Sequence, residues 1–155
     1  EVFFVQRIAS FEVDHRFITP GIYLSRIDGD ITTYDLRTRK PNCGDFMSDS
    51  TMHTFEHLFA TYVRNSDIGQ KVIYFGPMGC RTGCYLLVFG EKTSEEVYPL
   101  VMEMCEFILN FEGDIPGAAP EQCGNWSEQS LPMAKYYIRK YKKALEENKN
   151  FVYLP

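Results

Sequence analysis

The sequence predicts an α+β protein, a two-layer sandwich in which a mostly antiparallel sheet is covered by helices. Three observations predict it. Asp28-Gly29-Asp30 separates two runs of β-formers, 22–27 and 31–37, which is a strong hairpin signal. Met52, Phe55, Phe59 and Tyr62 fall on one stripe of a helix over 51–65. Thr93 and Glu96 have the spacing of a capping box, the opening of a second long helix. Strands and helices in mixed order suggest two layers around one core.

Taken in order, residues 2–8 and 11–14 are rich in β-formers, and the hairpin follows. Residues 41–50 form a polar loop. The helix over 51–65 begins after Ser50 or Asp49 as N-cap. A short strand at 72–75 ends at Gly76-Pro77, and another covers 84–89. The helix opened by Thr93 runs to about Phe111, with Gly113 as its stop; Pro99 removes one backbone bond near its start. Residues 112–130 are a long Gly/Pro-rich loop. Ser130 can cap a last helix with Pro132 in its first turn. At 155 residues, without repeat or linker, the chain 1–155 is expected to be a single catalytic domain.

Composition excludes several classes. A net charge of −5 argues against a nucleic-acid surface. No apolar run reaches the length of a membrane span, and the N-terminal EVFFVQRIASFEVDH is too polar for a signal peptide. The five cysteines, at 43, 80, 84, 105 and 123, are odd in number and show no disulfide spacing. A cytoplasmic location is expected, where cysteines serve as core, metal ligand or nucleophile.

His53, Glu56 and His57 carry the chemistry. Residues four apart on a helix are about 40° apart around the axis, so both imidazoles can reach one ion. Glu56 lies about 60° from His53 on the other side, near enough to serve the same site. His-x-x-Glu-His is the inverse of the common zinc-protease order and is itself a metal-site pattern. A third ligand must come from elsewhere, and Cys123, in GAAPEQCGNW within the long loop, is the candidate. Two histidines and a thiolate leave a fourth tetrahedral position open, as in catalytic sites. The thiolate also makes the ion a milder Lewis acid, with donors that suit zinc or ferrous iron.

Cys80, in GPMGCRTGC, sits on the turn between two strands beside Arg81. Nearby positive charge favours a thiolate and the glycine-rich turn keeps it accessible. Cys84, among Tyr85, Leu86 and Leu87, reads as core; a Cys80–Cys84 redox pair is the weaker alternative.

These blocks, HTFEH, PMGCRTG and QCGNW, with SFEVDH near the start and YDLRTRKPN in the hairpin, resemble the S-ribosylhomocysteine lyases, the autoinducer-2 synthases or LuxS family. The resemblance runs in register along essentially the whole chain. It implies metal ligands at His53, His57 and Cys123, a catalytic pair at Cys80 and Glu56, and substrate contacts at Ser10, His15 and Arg37. It also implies one Fe(2+) per subunit, for which Zn(2+) or Co(2+) may substitute, and a homodimer with active sites at the interface. The reaction implied is cleavage of S-ribosylhomocysteine to homocysteine and 4,5-dihydroxy-2,3-pentanedione, the autoinducer-2 precursor of quorum sensing. The sugar carbonyl migrates from C1 to C3, and β-elimination follows. Every step moves a proton next to a carbonyl, which an open metal site polarises and which bases near successive carbons must exchange.

Three positions depart from the family pattern. Tyr74 stands for the usual aspartate, Gly76 for the usual serine, and Cys84 for an aromatic residue. The aspartate's task is expected to pass to the Tyr74 hydroxyl or to a water in the space that Gly76 opens. Lys135, Arg139, Lys140, Lys142 and Lys143 of the last helix read as a solvated face with a favourable dipole interaction. The competing readings are a zinc peptidase with Glu56 as base for a metal-bound water, and a non-catalytic domain whose metal is closed by Cys80 or Cys84.

Overall fold

In the computed structural model, residues 5–155 are described, and the hairpin forms around the Asp-Gly-Asp turn. Strand β1 (Gly21–Asp28) pairs antiparallel with β2 (Ile31–Arg37), and Gly29 takes a φ of 61° in the connection. Glycine fits there because a Cβ would crowd the backbone in that left-handed conformation. Strands β3 (Val72–Pro77) and β4 (Gly83–Phe89) complete one four-stranded sheet in the order β1-β2-β4-β3, antiparallel throughout. Three helices, α1 (Asp49–Arg64), α2 (Ser94–Asn110) and α3 (Leu131–Glu147), supply the second layer. The α+β sandwich expectation holds.

The core lies between the layers. Tyr34, Leu36, Cys84 and Leu86 point inward from the central strands, and Phe55, Leu58 and Phe59 meet them from α1. Phe59 packs edge-on against Phe75 of β3 with ring centroids 5.2 Å apart. Each such burial contributes about 1.5–3 kcal/mol relative to an exposed side chain.

The N-terminal expectations need correction. Residues 2–4 lie outside the described residues, and 5–14 contain no strand, only a 3-10 turn at Ala9–Phe11. Val5, Ile8 and Phe11 remain 90%, 54% and 69% exposed, so these β-formers have no half-buried pleated surface to fit. Helix α1 begins two residues early, with Ser48 as its cap: Ser48 Oγ accepts from the Thr51 N–H at 3.2 Å. Met47 and Met52 are both buried, the positions that a hydrophobic staple uses to set a helix's entry.

The capping box forms as expected. Thr93 Oγ1 accepts from Glu96 N–H at 3.2 Å, and Glu96 Oε2 accepts from Thr93 N–H at 2.8 Å. Pro99 does not break α2, because it sits on the exposed side, where water can serve the orphaned carbonyl. Ser130 occupies the cap position of α3, but its side chain makes no cap bond; its N–H instead donates to Thr54 Oγ1 at 2.9 Å. No basic residue lies in the last turn of α3, so the expected dipole interaction is replaced by ion pairs. Lys142 pairs with Glu106 and Glu146, and Lys143 with Glu147.

Candidate metal centre and thiol pocket

The rigid part of the first site is α1. Its periodicity buries Phe55 and Phe59 against the sheet and leaves His53, Glu56 and His57 half-buried along one edge. His53 Nδ1 donates to the Glu128 carbonyl at 2.8 Å, and His57 Nδ1 donates to the Pro116 carbonyl at 2.6 Å. A carbonyl can only accept, so each ring's proton sits on Nδ1 and each Nε2 offers a lone pair. The two Nε2 atoms face each other at 3.0 Å, and Cys123 Sγ lies 3.3 Å from His53 Nε2.

This donor set fits a divalent ion. The three ligand atoms lie within 4.8 Å of one another. Ideal tetrahedral bonds to zinc would separate two nitrogens by about 3.3 Å, and nitrogen from sulfur by about 3.6 Å. Facing lone pairs repel at the observed distance, and a cation between them turns that repulsion into attraction. Carbonyl partners on the far ring nitrogens are the usual outer support of metal-binding histidines. Among the described residues no fourth His, Cys, Asp or Glu joins this cluster. The closed-site reading with Cys84 fails on packing, since Cys84 is fully buried in the core and burial drives its thiol far above the ordinary range.

The loop over residues 111–130 brings Cys123 to α1. Thr54 Oγ1 donates to Gln129 Oε1 at 2.7 Å, and the Ser130 bond to Thr54 closes the loop's far end onto the helix. At its near end Gly117 passes directly over His57: φ is 75°, and a Cβ there would come within 3.1 Å of His57 Nδ1. Gly117→Ala is therefore expected to lift the loop, at a strain of roughly 1–2 kcal/mol, and to weaken metal affinity about tenfold or more. A chelator-competition titration checks it; unchanged affinity would mean that the loop does not set the site.

The second site surrounds Cys80. Ser10, His15, Arg37 and Cys80 line one cavity of about 300 Å³, with Phe11 and Tyr85 in its wall. Cys80 is exposed on the β3–β4 turn, as expected. The charge beside it comes from Arg37 and not from its sequence neighbour Arg81. Arg81 adopts a φ of 61° and turns its guanidinium over the Phe46 ring, whereas Arg37 Nη1 lies 3.8 Å from Cys80 Sγ. The same Nη1 donates to Thr82 Oγ1 at 2.8 Å, and Thr82 Oγ1 lies 3.1 Å from Cys80 Sγ. Since Arg37 has only protons to give, the Thr82 hydroxyl accepts from it and is free to donate to the sulfur. Thr82 thus belongs to the site although sequence reasoning missed it; its place two residues after Cys80 was the available signal.

His15 is tied by Nδ1 to the Val13 carbonyl at 2.8 Å, which leaves Nε2 for other contacts. The pocket walls include neither Glu56 nor the His/His/Cys cluster, so within one chain the two groups form separate constellations. Gly76 opens no space for a water. The Tyr74 ring lies over it, and a Cβ at 76 would overlap the Tyr74 hydroxyl. A side chain at position 76 would fit only if the half-exposed Tyr74 ring swung away.

Comparison with known proteins converges on one family. A family model described as S-Ribosylhomocysteinase (LuxS) matches residues 8–152. The S-ribosylhomocysteine lyase of Clostridium beijerinckii is 46% identical, over 96% of this chain and 99% of that protein. That of Clostridium acetobutylicum is 47% identical, over 92% and 93% of the two chains. That of Borreliella burgdorferi is 43% identical, over 94% and 96%.

Proposed function

The chain belongs to the S-ribosylhomocysteinase (LuxS) family, and from that premise we propose that it is a metal-dependent lyase cleaving S-ribosylhomocysteine to homocysteine and 4,5-dihydroxy-2,3-pentanedione. The observation that carries this reading is the convergence of His53, His57 and Cys123 donor atoms with a fourth direction free of protein ligands among the described residues. A bound divalent ion supplies a Lewis acid for the sugar carbonyl. Ferrous iron is the resident ion in this reading, with zinc or cobalt able to replace it.

Cys80 and Glu56 are the proton carriers. Arg37 and Thr82 supply donors to the Cys80 sulfur, which supports its use as a thiolate base for the C1 and C2 transfers. Glu56 serves the later steps: removal of the C4 proton breaks the C5–S bond, and homocysteine leaves with the bonding pair. Ser10, His15 and Arg37 orient the substrate from the cavity that they share with Cys80.

The whole chain acts as one catalytic domain and pairs into a homodimer, with each site completed at the interface. Tyr74 and Phe89, on the sheet face away from the helices, are 47% and 48% exposed, which supports burial of that face by a second copy. A cytoplasmic location agrees with five free thiols and with the lack, among the described residues, of a helix long and apolar enough to cross a membrane.

The decisive assay is thiol release from S-ribosylhomocysteine, with and without chelator. Homocysteine should appear in the metal-loaded protein, and chelation should remove nearly all turnover, with restoration by Fe(2+) or Co(2+). Absent release with clear proteolysis of casein would transfer the site to the peptidase reading.

A further inference from the structure

Arg37 is held in place from behind. Asp35 and Arg37 form a bidentate pair at 2% and 3% side-chain exposure, Nε to Oδ1 at 3.1 Å and Nη2 to Oδ2 at 2.7 Å. Burial alone would lower the Arg37 pKa, but the Asp35 charge and hydrogen bonds raise it overall, so the guanidinium stays charged. Asp35 Oδ2 accepts one further hydrogen bond, from the Tyr153 hydroxyl at 2.7 Å. That phenol comes from the C-terminal tail, and its ring stacks on Tyr23 of β1 with centroids 4.5 Å apart and planes 11° from parallel.

We propose that Tyr153 is a positioning residue for the thiol pocket: it braces Asp35, Asp35 orients Arg37, and Arg37 carries its charge to Cys80. The relay is continuous in hydrogen-bonded atoms from the tail to the cavity wall. Tyr153 lies one residue beyond the span that the family model matches, so the role rests on this chain's contacts and not on the family motif.

The chemistry suits the task. A carboxylate has about four lone-pair directions, and a guanidinium fork fills only two of them. A third donor fixes the plane of the Asp35 carboxylate and hence the plane of the guanidinium clamped to it. Burial, and then the adjacent Asp35 charge, push the Tyr153 phenol far above the ordinary range, so it remains a neutral donor. Stacking on Tyr23 keeps the ring where the hydroxyl is needed. The other titratable groups lining the thiol cavity are His15 and Tyr85, and Arg81 points away onto Phe46; none of them reaches Asp35 through a hydrogen bond among the described residues.

The inference deepens the lyase reading, but its test does not require turnover. The thiolate displaces iodide from both iodoacetate and iodoacetamide, so the ratio of their rate constants at one pH cancels thiolate fraction and reports local positive charge. Peptide mass spectrometry would follow that ratio at Cys80 in the metal-loaded protein, with the urea-unfolded chain as the floor. Tyr153→Phe keeps the stack and removes only the hydroxyl; Tyr153→Ala removes both. Letting a unit charge drift from about 4 Å to about 8 Å in a water-like dielectric should lower the ratio two- to threefold.

The expected result is a ratio that falls by that factor in Tyr153→Phe and further in Tyr153→Ala. In both variants the circular dichroism spectrum and metal content should match wild type. Homocysteine release should then fall in kcat/KM, because the loosened Arg37 serves both the Cys80 thiol and the substrate. A wild-type ratio in both variants overturns the proposal. A lowered ratio with no lyase activity in wild-type protein would leave the relay standing and sink only the assigned reaction.

Discussion

Replacement of Cys123 by alanine is expected to weaken divalent-metal affinity by more than about 100-fold and to abolish homocysteine release. The bound is conservative, because losing even an outer support of a metal ligand costs 10–100-fold. Among the described residues Cys123 is one of three donors in the cluster, and without its sulfur the ion would be held by two imidazoles of one helix. The fold should survive, since Cys123 sits half-buried on an irregular loop and makes no core contact. Elemental analysis after gel filtration would read the loss of metal. In cobalt-substituted protein the sulfur-to-metal charge-transfer band should vanish. Stoichiometric metal with an unchanged band would remove Cys123 from the site and with it the basis for an open, mildly acidic ion.

Cys80→Ser is expected to lower turnover by roughly 10²–10⁴-fold, the usual worth of a positioned proton carrier. A serine hydroxyl at that place is not ionised near neutral pH, so the donors from Arg37 and Thr82 would have no anion to hold. Glu56→Gln should cost a similar factor for a different reason, since an amide cannot take the proton whose loss drives C–S cleavage. Solvent deuterium separates the two. Cys80→Ser should lose exchange at C1 and C2, whereas Glu56→Gln should retain it and stall before elimination. Equal loss of exchange at all carbons in both variants would refute the division of labour.

Much of the fold was readable because its signals are local. Asp28-Gly29-Asp30 names a hairpin by backbone conformation, and Thr93 with Glu96 names a helix start by two reciprocal hydrogen bonds. The His53–His57 pair was legible for the same reason, since helical period alone puts the two rings together. Cys123 was a candidate from its long loop and from the need for a third ligand, the family motifs pointed to the same residue, and the chain's membership of that family bears out the resemblance. What failed depended on remote partners. Residues 5–14 have strand composition but pair with no strand and stay largely exposed. Ser48 displaced Ser50 as a cap because Met47 anchors the helix entry in the core.

The thiol pocket shows the same division more sharply. Sequence adjacency suggested Arg81 beside Cys80, yet a positive φ turns Arg81 away onto Phe46 and leaves the place to Arg37, from a neighbouring strand. Likewise Gly76, read as room for a water, is covered by the Tyr74 ring two residues earlier.

By itself the sequence determined the antiparallel hairpin, the capping box that opens α2, the imidazole pair and the family, all encoded within a few turns of chain or in whole motifs. Only the tertiary structure decided which carbonyls orient those imidazoles, which arginine and hydroxyl serve Cys80, and that a tail tyrosine stands behind Asp35. The physical reason is range. Backbone conformation and helical period act between near neighbours and can be read along the chain. A hydrogen bond between residues 45 to 118 positions apart, as these are, exists only after the core has packed and brought them together.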